Sequence, residues 1–330
     1  MIDIIGRPLA IDASELARAQ NSYSQQIKTP QGESKPPFDF LGFKIATNKK
    51  KIVEYSQFAD DQEIQSSLEI DGRTYGNVAI LEIRGFIQKQ SYFDWWNGRW
   101  VYGIDEISKS LDIIGNDPRI KAVMITVDSG GGQVAGVETL SRSITKFRGT
   151  YKKQVWAFVD SCACSAAYWL ISGADKIIMA EDTAQVGSIG ILVSLSNWSE
   201  YQKNLGVVTR DIKASLSINK NKAYEDAMKG NDKLLIEQLD KINSVFLRDI
   251  QNNRGVKAGI AQFDLSTATP ENVPEILTGQ VYYGQDARQV GLVDEVSERG
   301  LSAEIARLQR DRGTTTQEAV PNVLDFLIAK

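Results

Sequence analysis

The sequence has no histidine in its 330 residues. A Ser-His-Asp triad, a Cys-His pair and a zinc site with histidine ligands are therefore excluded within this chain. A serine nucleophile would need another general base. Lysine is the known substitute, provided that burial favours its neutral form.

The sequence also lacks the patterns of membrane and nucleic-acid-binding proteins. It has no run of about 18 apolar residues, the length that predicts a membrane-spanning helix. Its net charge is −4, without the basic surplus typical of nucleic-acid binding. Residues 1–20 lack the basic start and apolar core of a secretory signal. We therefore expect a cytoplasmic protein with no membrane span and no nucleic-acid partner.

Cysteine is scarce, and both residues fall on one short segment. Cys162 and Cys164 are two positions apart, so a disulfide between them would be strained. Two thiols with no histidine nearby make a poor metal site. We expect them to be small buried side chains, and we expect no metal or cofactor.

The apolar residues predict an α/β protein with a mainly parallel sheet and flanking helices, because strands and helices alternate. The first 75 residues show little pattern beyond a helix at 15–26, a linker at 29–37 and a solvated lysine run at 49–51. We predict an N-terminal extension at 1–75, one catalytic domain at 76–300 and a helical or flexible tail at 301–330. The predicted strands are 77–84, 120–128, 155–159 and 205–212, the helices are 104–114, 134–147 and 231–253, and 279–296 reads as strand, short helix and strand.

Residues 128–132 read Asp-Ser-Gly-Gly-Gly, between a buried strand and a helix. Consecutive glycines let the backbone approach a ligand and direct N–H groups at it. The pattern fits neither phosphate-binding glycine motif. It leaves two interpretations, an oxyanion hole for acyl transfer or a tight turn between strand and helix.

Ser165 stands where a buried strand meets an apolar helix, among the small residues of Ala163-Cys164-Ser165-Ala166-Ala167. A serine there is more often a helix N-cap than a nucleophile. The aromatic-dense segment 88–102 likewise has two interpretations, a core or subunit interface and an apolar substrate groove.

Together these segments resemble the signal peptide peptidase A-like serine proteases. Residues 128–134 are similar to that family's D-S-P-G-G-x-V motif, and 163–169 to its A-A-S-G-G-Y-Y nucleophile segment. Residues 174–177 and 187–190 match its A-D-K-I and G-S-I-G motifs, and 279–295 resemble its closing segment. The resemblance covers residues 77–298, in one order and at compatible spacing.

The resemblance implies a serine endopeptidase with a Ser-Lys dyad on a crotonase/Clp protease-like fold. It places the nucleophile at Ser165 and the oxyanion donors at the backbone N–H groups of Gly131, Gly132 and Ala166. It also implies a peptide or protein substrate and a homo-oligomeric assembly. The absence of histidine agrees with a Ser-Lys dyad, which needs none.

The general base is harder to place. In the family the lysine follows the G-S-I-G turn by about thirty residues, which leads here to residues 213–220 when one short insertion is allowed. Lys220 is then the best candidate, and Lys213 and Lys222 remain as alternatives.

The chain departs from the family pattern around the predicted site. Gly130 replaces a proline, and Ala166 and Ala167 replace two glycines after the serine. A catalytically dead assembly or scaffold protein is therefore one alternative, and a crotonase-type acyl-CoA enzyme is another. Among proteases, the lack of a visible membrane anchor or export signal favours the phage branch of the family, whose members mature capsids, over a bacterial housekeeping protease. The expected location is then the cytoplasm or a phage procapsid.

Overall fold

The computed structural model describes residues 9–11, 43–47, 51–54, 78–94, 99–208 and 210–311. The predicted helix at 15–26 and the linker at 29–37 lie outside these residues. The strands are β1 (Leu9–Ile11), β2 (Phe43–Thr47), β3 (Lys51–Glu54), β4 (Val78–Ile87), β5 (Tyr92–Asp94), β6 (Arg99–Val101), β7 (Ala122–Gln133), β8 (Gln154–Cys164), β9 (Lys176–Met179), β10 (Gln185–Gly187), β11 (Val281–Tyr283) and β12 (Glu295–Val296). The helices are α1 (Ile104–Asn116), α2 (Val137–Tyr151), α3 (Ala166–Ile171), α4 (Ser199–Asn204), α5 (Lys222–Ala227), α6 (Lys233–Arg254), α7 (Gly284–Gln289) and α8 (Gly300–Arg310).

One large sheet organises the described chain, in the order β11-β10-β8-β7-β4-β2-β3. Its centre is parallel: β4, β7, β8 and β9 pair in the same direction, and β10 runs parallel to β8. Antiparallel strands β2, β3 and β11 extend it at both sides. The mainly parallel α/β class predicted from the sequence is therefore confirmed.

The sheet is covered on both faces. Alternate residues of the central strands, such as Leu81 and Ile125, join α1, α2, α3 and α6 in one core. The opposite residues, such as Met124 and Phe158, pack against Ile305 of α8. Burial on both faces explains why these strands read as nearly continuous apolar runs.

Most of the predicted elements are present with shifted ends. β4 and β8 extend past their predicted ends, and the helices predicted at 104–114, 134–147 and 231–253 correspond to α1, α2 and α6. The predicted strand, short helix and strand at 279–296 correspond to β11, α7 and β12. The domain boundaries at 75 and 300 stay predictions.

The strand predicted at 205–212 is wrong. The described part of this segment forms a turn and then chain without regular secondary structure after α4, with no ladder to another strand. Its aliphatic side chains are exposed, Val208 to 85% and Ile212 to 83%. Branched aliphatic residues favour a strand only where a neighbouring strand and a core receive them.

A tight turn was one of the two interpretations of the glycine segment, but residues 131–133 instead continue β7. Gly131 and Gly132 pair with Phe86 and Ile87 of β4. A side chain at Gly132 would place its Cβ 2.0 Å from the carbonyl oxygen of Ile87, so the two strands approach this closely only because residue 132 is glycine. The helix α2 starts four residues further on, after Gly136.

Candidate active site

Ser165 lies at the junction where β8 ends and α3 begins. Its backbone has φ 55° and ψ −120°, a conformation that non-glycine residues rarely adopt. Such strain costs on the order of 1–3 kcal/mol and persists where surrounding structure enforces it, commonly at functional sites. A sharp strand-to-helix turn of this kind is the way α/β hydrolases expose a nucleophilic serine.

The hydroxyl of Ser165 does not cap the helix that follows it. The side chain makes no capping hydrogen bond, although Ser165 occupies the N-cap position of α3. The residue is 1% exposed, and among the described residues Oγ has no hydrogen-bond partner. A buried hydroxyl without a partner costs stability, so a structural cap does not explain this serine.

The turn at Ser165 is held by the G-S-I-G segment. The Ser165 N–H donates to the carbonyl oxygen of Gly187 at 2.7 Å, at the end of β10. The next residue, Ser188, has φ 50° and donates its N–H to the carbonyl oxygen of Gln280 at 2.8 Å. Three motifs that are far apart in the sequence therefore meet at one edge of the sheet.

The glycine segment reaches the same edge. Ser129 of β7 lies opposite Ala163 of β8, so Gly131 and Ser165 each follow that pair by two residues. Gly131 has φ 110°, which favours glycine. Its N–H donates to Ser129 Oγ at 3.1 Å, and Ser129 Oγ donates to the carbonyl oxygen of Gly85 at 2.6 Å. The N–H of Ala166, in the first turn of α3, lacks an intrahelical acceptor by its position.

Ser129 and its neighbour Asp128 are site residues that were not predicted from the sequence. Ser129 fixes the glycine segment through the two bonds just described. Asp128 accepts a hydrogen bond from Ser161 and lies 3.7 Å from Arg84 Nη1. Both residues stand inside the quoted Asp-Ser-Gly-Gly-Gly motif, so a polar pair directly before the glycines was the available signal.

Contacts with α6 and with Leu292 hold helix α3 in place. The ring of Trp169 stacks on Phe246 of α6 with centroids 4.4 Å apart, and its Nε1–H donates to Asp249 at 3.1 Å. The hydroxyl of Tyr168 donates to the carbonyl oxygen of Leu292 at 2.7 Å, and burial raises the pKa of this phenol, so it stays a neutral donor. These contacts limit movement of the helix that carries Ser165.

The three candidate lysines lie in the segment before and at the start of α5. Lys213 Nζ pairs with Glu225 at 2.6 Å, and Lys222 Nζ pairs with Asp226 at 2.8 Å. The hydrogen bond with Asp226 raises the pKa of Lys222 and so favours its charged form. Lys220 is exposed, and its Nζ forms no ion pair or hydrogen bond with the residues that the structure describes.

None of these lysines donates a hydrogen bond to Ser165 Oγ within the ranges that the structure covers. The structure therefore assembles the predicted nucleophile and the glycine segment, and it leaves the base unassigned.

The aromatic segment lies beside the glycine edge. β5 and β6 form a small hairpin, and the hydroxyl of Tyr92 accepts a hydrogen bond at 3.0 Å from the N–H of Phe86 in β4. Tyr92 and Phe93 are half-buried. Of the two thiols, Cys164 is buried as expected, whereas Cys162 is only half-buried. None of the helices in the described part of the chain is long and apolar enough to cross a membrane.

The chain has relatives among bacterial and phage proteins. It is 25% identical over 239 residues to a putative signal peptide peptidase SppA of Enterococcus faecium, covering 72% of this chain and 65% of that protein. It is 25% identical over 221 residues to capsid assembly protease C of Escherichia phage lambda, covering 66% of this chain and 46% of that protein. In both cases the match spans less than two thirds of the relative's own length.

A solved structure of an enoyl-CoA hydratase/isomerase family member superposes on 72% of this chain and 73% of its own, with a TM-score of 0.38 and 17% identity. The family model of peptidase family S49 matches residues 148–311, which include Ser165, the G-S-I-G segment and all three candidate lysines. The resemblance expected from the ordered motifs is thereby confirmed. The matched residues and these relatives show that the chain is similar to peptidase family S49, and they support a peptidase.

Proposed function

We propose that this chain is a serine endopeptidase whose nucleophile is Ser165 and whose general base is Lys220. The observation that carries the proposal is the state of Ser165, a buried serine with φ 55° whose Oγ has no partner in the described structure. A hydroxyl kept out of structural hydrogen bonds at a strained turn is available to attack a carbonyl carbon.

In the proposed reaction, Ser165 Oγ attacks the carbonyl carbon of a peptide bond as Lys220 Nζ takes its proton. Backbone N–H groups of Gly132 and Ala166 stabilise the oxyanion, with Gly131 beside them, because fixed donors favour the charge that develops there. Lys220 then protonates the leaving amine, and water hydrolyses the acyl-enzyme.

Lys220 is preferred as the base because its two rivals are engaged with carboxylates. The hydrogen bond with Asp226 raises the pKa of Lys222 and so favours the charged form, which cannot accept a proton, and Lys213 Nζ is held by Glu225. Lys220 would become a base when its segment is covered, since desolvation favours the neutral amine. A second copy of the chain is the proposed cover, because α4 and the chain after it expose large apolar side chains and α4 has no buried residue. This observation also supports the proposed homo-oligomer.

The proposed substrate is a capsid or scaffold precursor protein. The relative of phage lambda is a capsid assembly protease, and this supports processing of such a precursor. The relative named as a putative signal peptide peptidase supports instead a bacterial protease that cleaves signal peptides. Incubation of the purified protein with candidate capsid proteins and with signal peptides, followed by mass spectrometry, separates the two substrates.

The test of the proposed function compares the protein with its Ser165→Ala variant. We expect cleavage of protein substrate and labelling by a fluorophosphonate in the parent protein and neither in the variant. Ser143→Ala is a suitable control, because Ser143 is a half-buried serine on α2 whose hydroxyl, within the described residues, donates only to the carbonyl oxygen of Thr139. Undiminished cleavage by Ser165→Ala would refute the proposal. Binding of coenzyme A by a protein that is not labelled would favour the acyl-CoA enzyme, and absence of both activities would favour a dead scaffold protein.

A further inference from the structure

The N-terminal strand β1 lies against the glycine segment. Leu9, Ala10 and Ile11 pair antiparallel with Gln133, Gly132 and Gly131, respectively. The pairing is therefore with the very residues proposed as oxyanion donors. Among the strands that the structure describes, β1 pairs with β7 alone.

The position of β1 follows from the separation of β7 and β8. The two strands pair as far as Ser129 and Ala163, after which β8 ends and the chain turns at Ser165. β7 continues to Gln133, paired with β4 through Gly131 and Gly132 on one side. Its other side loses β8 as a partner, and an extended segment can add there as a new strand. β1 is that segment.

An extended segment at this edge is placed as a protease substrate must be. Its backbone runs beside the proposed oxyanion donors, and Ser165 follows on the neighbouring strand. Strand addition binds a peptide through its main chain and therefore accepts many sequences. The glycines at 131 and 132 carry no side chain that would keep a second backbone away.

We propose that residues Leu9–Ile11 of the same chain occupy the edge of β7 at Gly131–Gln133 in place of an extended substrate peptide. This inference rests on the proposed function and names what competes with its substrate. β1 has three residues and one described neighbour, so its release costs little compared with unfolding of the sheet. The N-terminal segment thus competes with substrate, and its release opens the site.

The experiment measures peptide binding without catalysis. The probe is a fluorescently labelled synthetic peptide with the sequence of residues 5–15, and its binding is measured by anisotropy. The full-length proteins are Ser165→Ala, Ser165→Ala/Ala10→Pro and Ser165→Ala/Leu9→Pro. Adjacent N–H groups of a strand point to opposite sides, so one of the two prolines removes a donor of the β1–β7 ladder.

We expect at least one proline variant to bind the probe about tenfold more tightly than Ser165→Ala. This ratio of dissociation constants applies if β1 leaves the site open in about one molecule in ten of Ser165→Ala and in nearly every molecule of the proline variant. Ser165→Ala/Ala10→Val is the matched control, since valine keeps the N–H and favours a strand, and its affinity should not exceed that of Ser165→Ala. Equal affinity in all the variants, or no binding to any of them, would overturn the proposal.

Hydrogen exchange provides a second, independent measurement of the pairing between β1 and β7. Hydrogen exchange should show protection of residues 9–11 in Ser165→Ala and its loss in the proline variant that binds tightly, with unchanged protection of β4 and β8 showing that the sheet is intact. Protection of 9–11 that survives both prolines would also overturn the proposal. Because every protein here lacks the Ser165 hydroxyl, these outcomes do not depend on proteolysis, whose failure is detected separately by the comparison of the parent protein with Ser165→Ala.

Discussion

The hydroxyl of Ser129 ties the glycine segment to the neighbouring strand, accepting the Gly131 N–H at 3.1 Å and donating to the Gly85 carbonyl oxygen at 2.6 Å. Ser129 is 2% exposed, so water does not replace these bonds. The orientation of the peptide units at the proposed oxyanion hole therefore depends on one side chain that does not itself react.

Ser129→Ala tests this positioning role. Removal of the hydroxyl frees the Gly131 peptide, so we expect kcat to fall about tenfold, less than the loss of a whole oxyanion donor. KM should change little, since the peptide-binding edge remains. The free energy of unfolding should fall by about 1 kcal/mol, the worth of a typical hydrogen bond. Equal stability loss with unchanged kcat would assign Ser129 a structural role only. Steady-state kinetics and thermal unfolding, with Ser143→Ala as control, provide both quantities.

Ser165→Ala should stabilise the protein while abolishing activity. The parent protein buries a hydroxyl with no described partner, a cost of about 1–3 kcal/mol that alanine avoids. The strained backbone is the same for both residues, so that contribution cancels. Thermal unfolding should give a higher Tm for the variant, and peptide turnover should fall below about one thousandth. A lower Tm would show that the hydroxyl has a structural partner.

The proposed base is tested by separate Lys213→Ala, Lys220→Ala and Lys222→Ala variants. Lys220→Ala should lose peptide turnover while keeping its Tm, because the side chain is exposed and makes no described bond. Lys213→Ala and Lys222→Ala remove ion pairs at the surface, so they should retain turnover and change stability by less than about 1 kcal/mol. If turnover is lost instead in one of these two, that lysine is the base. Turnover kept in all three would refute a lysine base in this segment.

Acid should destabilise the fold through Glu295. Burial opposes its ionisation, but hydrogen bonds with Lys176 and Arg307 outweigh that effect and lower the pKa to about 2. Because this folded value lies below the ordinary value of 4.5, the stabilisation is complete above about pH 4.5 and is lost as the pH falls towards 2.

Glu295→Gln should therefore lower Tm at pH 7 and make Tm fall less steeply between pH 5 and 3. Asp117 and Asp294 also have lowered pKa values, because their arginine partners outweigh the effect of burial, so part of the decline will remain. Glu237→Gln on the exposed side of α6 is the control and should leave the pH profile unchanged. Parallel profiles for Glu295→Gln and the parent protein would contradict the prediction.

The exposed apolar side chains of α4 and the following segment predict self-association. Trp198 is 56% exposed, Tyr201 59% and Leu205 63%, and large apolar side chains exposed together in one segment are typical of an interaction site. Sedimentation should show an oligomer in the parent protein and smaller species in Leu205→Glu. Val256→Glu changes an equally exposed residue elsewhere, at 76%, and should not alter the assembly. A monomeric parent protein would contradict this prediction and the proposed cover of Lys220.

The elements that could be predicted from the sequence are those whose structure follows from the pattern of their own residues. α6 shows its apolar period over 22 residues, and β7 and β8 are continuous apolar runs, so both follow from the residues themselves. The segment at 205–212 has the same residue types but no neighbouring strand, and the sequence does not show that absence. The glycine segment likewise became a strand because β4 lies beside it.

The residues of the candidate site also divide into those that a local motif predicts and those that depend on distant contacts. The position of Ser165 could be predicted because its motif is contiguous and matches a family. Its strained φ depends on Gly187, and the role of Ser129 depends on Gly85, which is 44 residues away. The base could not be fixed from a spacing that needs an insertion, and the exposed state of Lys220 leaves that assignment to experiment.

The hydrogen bond between the Ser165 N–H and the Gly187 carbonyl oxygen also sets an order of events during synthesis. Gly187 belongs to β10, which is itself paired with β11 at Val281–Tyr283. A ribosome releases the chain from its N-terminus, so Ser165 emerges long before the strand that completes its support. The turn at Ser165 is therefore finished only after nearly the whole described chain has been made, and a nascent or truncated chain carries the serine without the support of β10 and β11.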